Sequence, residues 1–221
     1  MAYYYSNGNG GGRRFLANAP EVTRTLIIVN IIIFLATLVG EKLLNSDVMG
    51  RMFALYPIQS HYFHWWQFFT YMYMHGGFWH ILFNMYTLYI FGCVVENIVG
   101  PRKFFAFYTI CGIGAAALHI WVQQLTGAFA PTVGASGSIY GVLIAFAMLF
   151  PESRLTLLFP PVTLSAKWMV VIFAGIEIVT GLSGAGDGIA HFAHLGGMAI
   201  GWLLIMFWKK RGVLFDKERW F

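Results

Sequence analysis

Apolar residues along this chain arrive in long runs, separated by short polar segments. The runs lie at about 25–41, 78–98, 104–124, 136–150, 168–183 and 189–208. A helix of roughly 20 apolar residues spans a hydrocarbon core, so the pattern predicts a bundle of six membrane helices. The fourth run is the exception. It extends from Ser136 to Phe150 and stops at Pro151, which cannot continue a helix and disfavours helical geometry in the residue before it. At about 1.5 Å per residue it covers roughly 22 Å, against a core roughly 30 Å thick. With Glu152 and Arg154 at one membrane face, Ser136 lies roughly 8 Å below the other. A hydroxyl at a helix N-terminus, set in Gly134-Ala135-Ser136-Gly137 and sunk below the surface, is a candidate nucleophile inside the membrane.

Composition agrees with a bilayer as the solvent. Only 10% of residues are charged, where a soluble domain carries about 25%. The expected fold class is therefore an all-α polytopic membrane protein, with six spans, a short fourth helix and an interfacial outer loop. Residues 1–20 are expected to be a polar, disordered cytoplasmic segment, 21–208 the membrane domain, and 209–221 a basic cytoplasmic tail. Cys93 and Cys111 fall in apolar runs and read as small buried hydrophobes.

Charge sets the orientation. Arg13, Arg14, Arg24, Arg102, Lys103, Arg154, Lys167 and the cluster Lys209, Lys210, Arg211 all fall on one side of a six-span chain. The other side carries only Lys42 and Arg51. The positive-inside rule places both termini in the cytoplasm and accounts for the net charge of +5 without nucleic acid as a partner. No small-residue cleavage site follows the first span, and the lean core favours a bacterial plasma membrane. The outer segment from Asn45 to Gly77 holds Trp65, Trp66, Phe68, Phe69, Tyr71 and Tyr73, and is expected to lie half in lipid as short amphipathic helices.

Polar side chains within spans are costly and default to function. His80 and Asn84, four apart, share one helical face near the outer end of span two. His191 and His194 sit near the outer end of span six. Three helices thus bring a hydroxyl, imidazoles and an amide to one depth. Gly197 and Gly201 follow His194 on its own face, and Gly137 and Gly141 follow Ser136. Such pairs let two backbones approach closely, which would press His194 against Ser136. That facing makes His194 rather than His191 the expected base. Each feature alone also fits ordinary helix packing or back-bonding; the convergence carries the reading.

These motifs resemble the rhomboid intramembrane serine proteases. The matching parts are Gly134-Ala135-Ser136-Gly137 with Tyr140, His194 with Gly197 and Gly201, His80 with Asn84, and Glu96 twelve residues later, within about Trp65 to Trp208. The resemblance implies that Ser136 is the nucleophile and His194 its base, and that His80 and Asn84 help form the oxyanion hole. It also implies that Tyr140 packs near His194 and that the outer loop braces the bundle. One departure is Trp66-Gln67, where the family often has Trp-Arg. Gln67 cannot form a charged fork, so its removal is expected to be mild.

The chemistry is coherent on its own terms. A weak alcohol needs a base within hydrogen-bond reach, and a tetrahedral oxyanion needs preorganised donors. Those donors are expected from His80, Asn84 and the Ser136 backbone N–H. No acidic residue is obviously placed to orient His194, so the expectation is a Ser–His dyad. Glu96 is expected to accept interhelical hydrogen bonds near the inner face. Glu177, close to mid-membrane, is expected to make a structural bond, with a proton path as the alternative. Water is expected to enter above the short helix, past Gln123, Gln124 and Thr126. No metal or cofactor is expected, and no His-Glu-x-x-His occurs. The expected partners are transmembrane protein substrates and the lipid bilayer, with oligomeric state open. A catalytically silent client binder and a transporter are the competing readings. Retention of both dyad positions disfavours the first, and the lack of an evident internal repeat the second.

Overall fold

The computed structural model describes residues 18–157, 161–183 and 189–214. The expectations for most of the leading segment and for the end of the basic tail lie outside the described residues. Among the described residues, five helices are long and apolar enough to cross a membrane: α1 (Glu21–Leu43), α2 (Phe78–Val99), α3 (Pro101–Thr126), α5 (Ala166–Ser183) and α6 (Ile189–Arg211). Between them lies α4, a 14-residue apolar helix from Ser136 to Leu149. The chain is an integral, all-α membrane protein.

The helix ends follow local chemistry. Gly100 ends α2 with a positive φ, and Pro101 opens α3, where its missing N–H costs nothing. Gly127 closes α3 in the left-handed region. Phe150, ahead of Pro151, ends α4. The start of α1 is capped from a distance: Glu96, fully buried on α2, accepts hydrogen bonds from the Val22 and Thr23 N–H groups and the Thr23 hydroxyl at 2.7–2.9 Å. A carboxylate at the positive end of a helix supplies the acceptor that the free N–H groups require. Glu96 thus makes an interhelical bond of the kind expected. In α2 a π-helical turn at Leu88–Gly92 separates two α-helical stretches.

α4 is the centre of the bundle. It is apolar around its whole circumference, as suits a helix surrounded by others. α6 packs along both α3 and α4. α1 and α5 instead turn large side chains such as Ile32, Leu35, Val171 and Val179 outward, as lipid-facing helices do.

Two connections depart from the sequence pattern. After α4, Arg154–Thr156 (β1) and Thr163–Ser165 (β2) pair antiparallel as a small hairpin, a feature too short for periodicity to announce. The outer segment does contain short helices, at Val48–Phe53, Gln67–Thr70 and Tyr71–Tyr73. It is not uniformly half in lipid, however. Trp65 is exposed, whereas Tyr71, Met72, Tyr73 and Met74 are buried. Tyr71 accounts for this: its hydroxyl donates to the Gly112 carbonyl at 2.7 Å, and its own carbonyl accepts from the Gly134 N–H at 3.0 Å. It is a core post joining the loop, α3 and the approach to α4.

Candidate active site

The site begins with a backbone approach. A Cβ on Gly197 would collide with the carbonyl oxygen of Gly137, and one on Gly201 would lie 2.9 Å from the Cα and carbonyl oxygen of Gly141. Only glycine lets α4 and α6 meet backbone to backbone here. The consequence falls one turn higher, where His194 Nε2 lies 2.8 Å from Ser136 Oγ. The Tyr140 ring stacks on the His194 imidazole at a centroid distance of 4.3 Å and an interplanar angle of 10°. This stacking limits how the imidazole can turn.

His80 reaches the same place from α2. Gly134 holds a φ of +134°, outside the range comfortable for other residues, and a Cβ there would lie 2.8 Å from His80 Nε2 and 3.6 Å from Ser136 Oγ. Glycine therefore serves both the turn and the approach of the ring. The Gly76 N–H points at His80 Nδ1 at 3.4 Å, which assigns Nδ1 as acceptor and leaves the hydrogen on Nε2, beside Gly134. Beside His80 stands His75, in the loop before α2, with ring centroids 5.1 Å apart. Burial, then the His80 ring, pushes the His75 imidazole down to about 4, so it adds no positive charge there near neutral pH. Asn84 donates one amide hydrogen back to the His80 carbonyl at 2.9 Å and keeps the other. Ser136 opens α4, so its N–H and those of the next residues have no partner in their own helix.

Ser136, Tyr140, His80 and Asn84 all line one cavity of about 770 Å³, together with Trp79, Phe83, Leu143 and Phe173. It runs between α2 on one side and α4 and α5 on the other, and reaches the hairpin at Leu155 and Thr156. Gln123, Gln124 and Thr126 do not line it; Gln123 donates to the Ala130 carbonyl, Gln124 accepts from Gln59, and Thr126 bonds back to Val122. Those side chains have partners in the outer loops and in α3 itself, and they tie the end of α3 down.

Two further residues differ from expectation. Glu177 on α5 is buried and sits behind the imidazole. Its Oε1 is 3.0 Å from His194 Nδ1 and accepts from the Tyr140 hydroxyl, while Oε2 is 2.5 Å from His191 Nδ1. An acidic residue is therefore placed against His194. Spacing along the chain did not reveal it, because Glu177 lies on a different helix, 17 residues away. His191 is the hydrogen-bond partner that its position one turn away from His194 suggested. Gln67 is likewise fully buried, not a peripheral loop residue. Its carbonyl accepts the Tyr56 N–H at 3.2 Å, and its amide donates to the Tyr62 carbonyl at 2.8 Å and the Arg51 carbonyl at 3.3 Å. A neutral amide thus braces three points of the outer loop without any charged fork.

Glu177, His191 and His194 have ligand atoms within 4.8 Å of one another, a donor set of the type that binds zinc. Those atoms are paired with each other as they stand, and His194 is also paired with Ser136.

A model of the Rhomboid domain matches residues 62–211. Rhomboid protease AarA of Providencia stuartii is 27% identical over 212 residues, covering 86% of this chain and 73% of that protein. Rhomboid protein 1, mitochondrial, of Saccharomyces cerevisiae is 31% identical over 129 residues, or 58% of this chain and 37% of that protein. The presenilin-associated rhomboid-like protein, mitochondrial, of Homo sapiens is 32% identical over 149 residues, or 62% of this chain and 38% of that protein. The chain thus spans less than two fifths of the length of these two mitochondrial relatives.

Proposed function

The chain belongs to the rhomboid family, and on that premise we propose that it is an intramembrane serine endopeptidase cleaving peptide bonds in or near the transmembrane segments of other membrane proteins. The observation that carries this reading is the 2.8 Å contact between Ser136 Oγ and His194 Nε2, at the wall of a cavity within the bundle. Ser136 attacks the scissile carbonyl as its proton passes to His194. The developing oxyanion is held by the Ser136 N–H, the His80 Nε2–H and the free Asn84 amide hydrogen. His194 then returns the proton to the leaving amine, and water repeats the cycle on the acyl-enzyme. Gly134, Gly137, Gly197, Gly201 and Tyr140 hold the geometry without touching the reacting bond.

The elongated apolar cavity suits a helical or extended segment arriving from lipid, with His80 and Asn84 at its polar end. We further read the membrane as a bacterial plasma membrane with both termini cytoplasmic. The basic residues of the α2–α3 and α4–α5 connections support that orientation, and the broad coverage of the Providencia stuartii relative supports the choice of membrane. The test is cleavage of a model transmembrane substrate by purified protein, with labelling by a fluorophosphonate probe. Both are expected to vanish in Ser136→Ala while the protein stays folded. Cleavage by Ser136→Ala at the normal rate would overturn the reading.

A further inference from the structure

Resting on the proposed function, we propose that Glu177 is a positioning residue for His194, making the site a Ser136–His194–Glu177 relay in which α5 supplies the acidic member. The argument starts from the number of donors the carboxylate faces. The Tyr140 hydroxyl and His194 Nδ1 address Oε1, and His191 Nδ1 addresses Oε2. An ionised carboxylate has room for about four donors, and the Tyr140 hydroxyl with the Nδ1–H tautomers of His194 and His191 supplies three. Three donors from two different helices therefore hold a negative group, buried, behind the imidazole.

Its effect on the imidazole is directional. Ser136 needs Nε2 as an acceptor, so the hydrogen of neutral His194 must sit on Nδ1, the nitrogen 3.0 Å from Glu177. The carboxylate selects that tautomer. The Tyr140 ring restrains the imidazole plane from one side, and the same tyrosine hydroxyl is bonded to Glu177, so ring and acid are held as one unit. The Nδ1 to Oε1 separation is short, but the atoms are not aligned as a full hydrogen bond. Catalytic hydrogen bonds commonly tighten only when substrate is bound.

In the acylation step the Ser136 Oγ–carbonyl bond forms as the Oγ proton moves to His194 Nε2. The imidazolium that results carries its second N–H toward Glu177, which stabilises the new charge without taking the proton. The Nε2 proton is then delivered to the substrate nitrogen as the C–N bond breaks, leaving the Nδ1–H in place. Glu177 ends the step as it began. Its distance from the reacting atoms makes it a positioning group.

The experiment compares wild type, Glu177→Gln and His191→Gln in detergent, using a model transmembrane substrate, fluorophosphonate labelling, thermal melting and proton NMR of the imidazole N–H. Gln keeps the size of Glu177 and removes the charge. The expected result is a loss of kcat of about a hundredfold in Glu177→Gln, with KM and the melting temperature little changed. A strongly downfield imidazole N–H resonance is expected in fluorophosphonate-labelled wild type, where the bound probe stands in for substrate, and absent in labelled Glu177→Gln. His191→Gln, which leaves the carboxylate facing His194, is expected to lose less than about tenfold and to keep that resonance. Turnover of Glu177→Gln equal to wild type would overturn the proposal, as would persistence of the resonance. So would equal losses in both variants accompanied by a fall in melting temperature, the mark of a structural role. If wild type neither labels nor cleaves, the protease reading itself fails and this relay falls with it; if wild type does both, only the role of Glu177 is at stake.

Discussion

The two sides of α4 are packed in opposite ways. Toward α6 the Gly137 and Gly141 backbones meet Gly197 and Gly201 directly, and a Cβ on Gly137 or Gly141 would strike Ala115 or Cys111 of α3. Ser136, Ile139, Tyr140 and Leu143, on the neighbouring stripe, look into a cavity of about 770 Å³. One helix therefore joins a seam that cannot shift to a space that can receive a guest. The seam holds Ser136 and His194 in register; the cavity leaves the same serine accessible. A site built on a helix in a tight seam keeps its geometry better than one on a loop.

This contrast can be broken most severely at His194. His194→Ala is expected to lose roughly 10²–10⁴-fold in turnover, as removal of a general base does, while His191→Ala stays partly active. Cleavage and phosphonate labelling of the two variants side by side decide it. A dead His191→Ala with an active His194→Ala would mean that α6 presents the other face to α4.

On the cavity side, Asn84→Ala and His80→Ala are each expected to lower kcat roughly a hundredfold with less effect on KM, as loss of an oxyanion donor does. Full turnover in both variants would make these residues structural. Steady-state kinetics on one substrate separate the outcomes.

The seam itself is probed by Gly197→Ala. A single methyl there drives the two backbones apart, at a cost of about 3 kcal/mol, the upper end for overpacking. A shift of about 1 Å between nucleophile and base can cost roughly a hundredfold in rate. Val171→Ala, on the lipid-facing side of α5, serves as the contrast and is expected to stay within about 0.5 kcal/mol. Equal melting temperatures for the two variants would show that the seam is softer than its geometry implies.

The smallest effect on chemistry is expected at Gln67. Gln67→Ala strips the Tyr56 N–H and the Tyr62 carbonyl of a buried partner, at about 1–3 kcal/mol for each group left unsatisfied. Stability is expected to fall by more than activity, because the loop lies away from Ser136. Thermal melting of Gln67→Ala and Gln67→Glu checks this; an unchanged melting temperature for both would show that water replaces the amide readily.

Much of this was legible in the chain. Long apolar runs, the halt at Pro151 and the glycine spacing are local properties, and a bilayer converts them almost directly into helices and their facing. That is why α4 appears one residue shorter than the run that predicts it, and why Ser136 and His194 meet. Residues that work through a partner on a distant element were not legible in the same way. Glu177 reads as one costly carboxyl in an apolar run; only the packing of α5 against α4 and α6 gives it Tyr140, His191 and His194 as neighbours. Gln67 reads as a neutral replacement in an aromatic loop; only the folding of that loop around it gives its amide three backbone partners. Tyr71 looks like another interfacial ring until its hydroxyl and carbonyl are seen to span the loop, α3 and the turn at Gly134. Periodicity reports which face of a helix avoids polar surroundings, and so the sequence by itself determined the spans, their order and the pairing of Ser136 with His194. A hydrogen bond between helices depends on relative rotation and depth to within about an ångström, which no repeat along one chain encodes, and so the tertiary structure alone decided the place of Glu177 behind His194, the brace within the loop and the shape of the cavity.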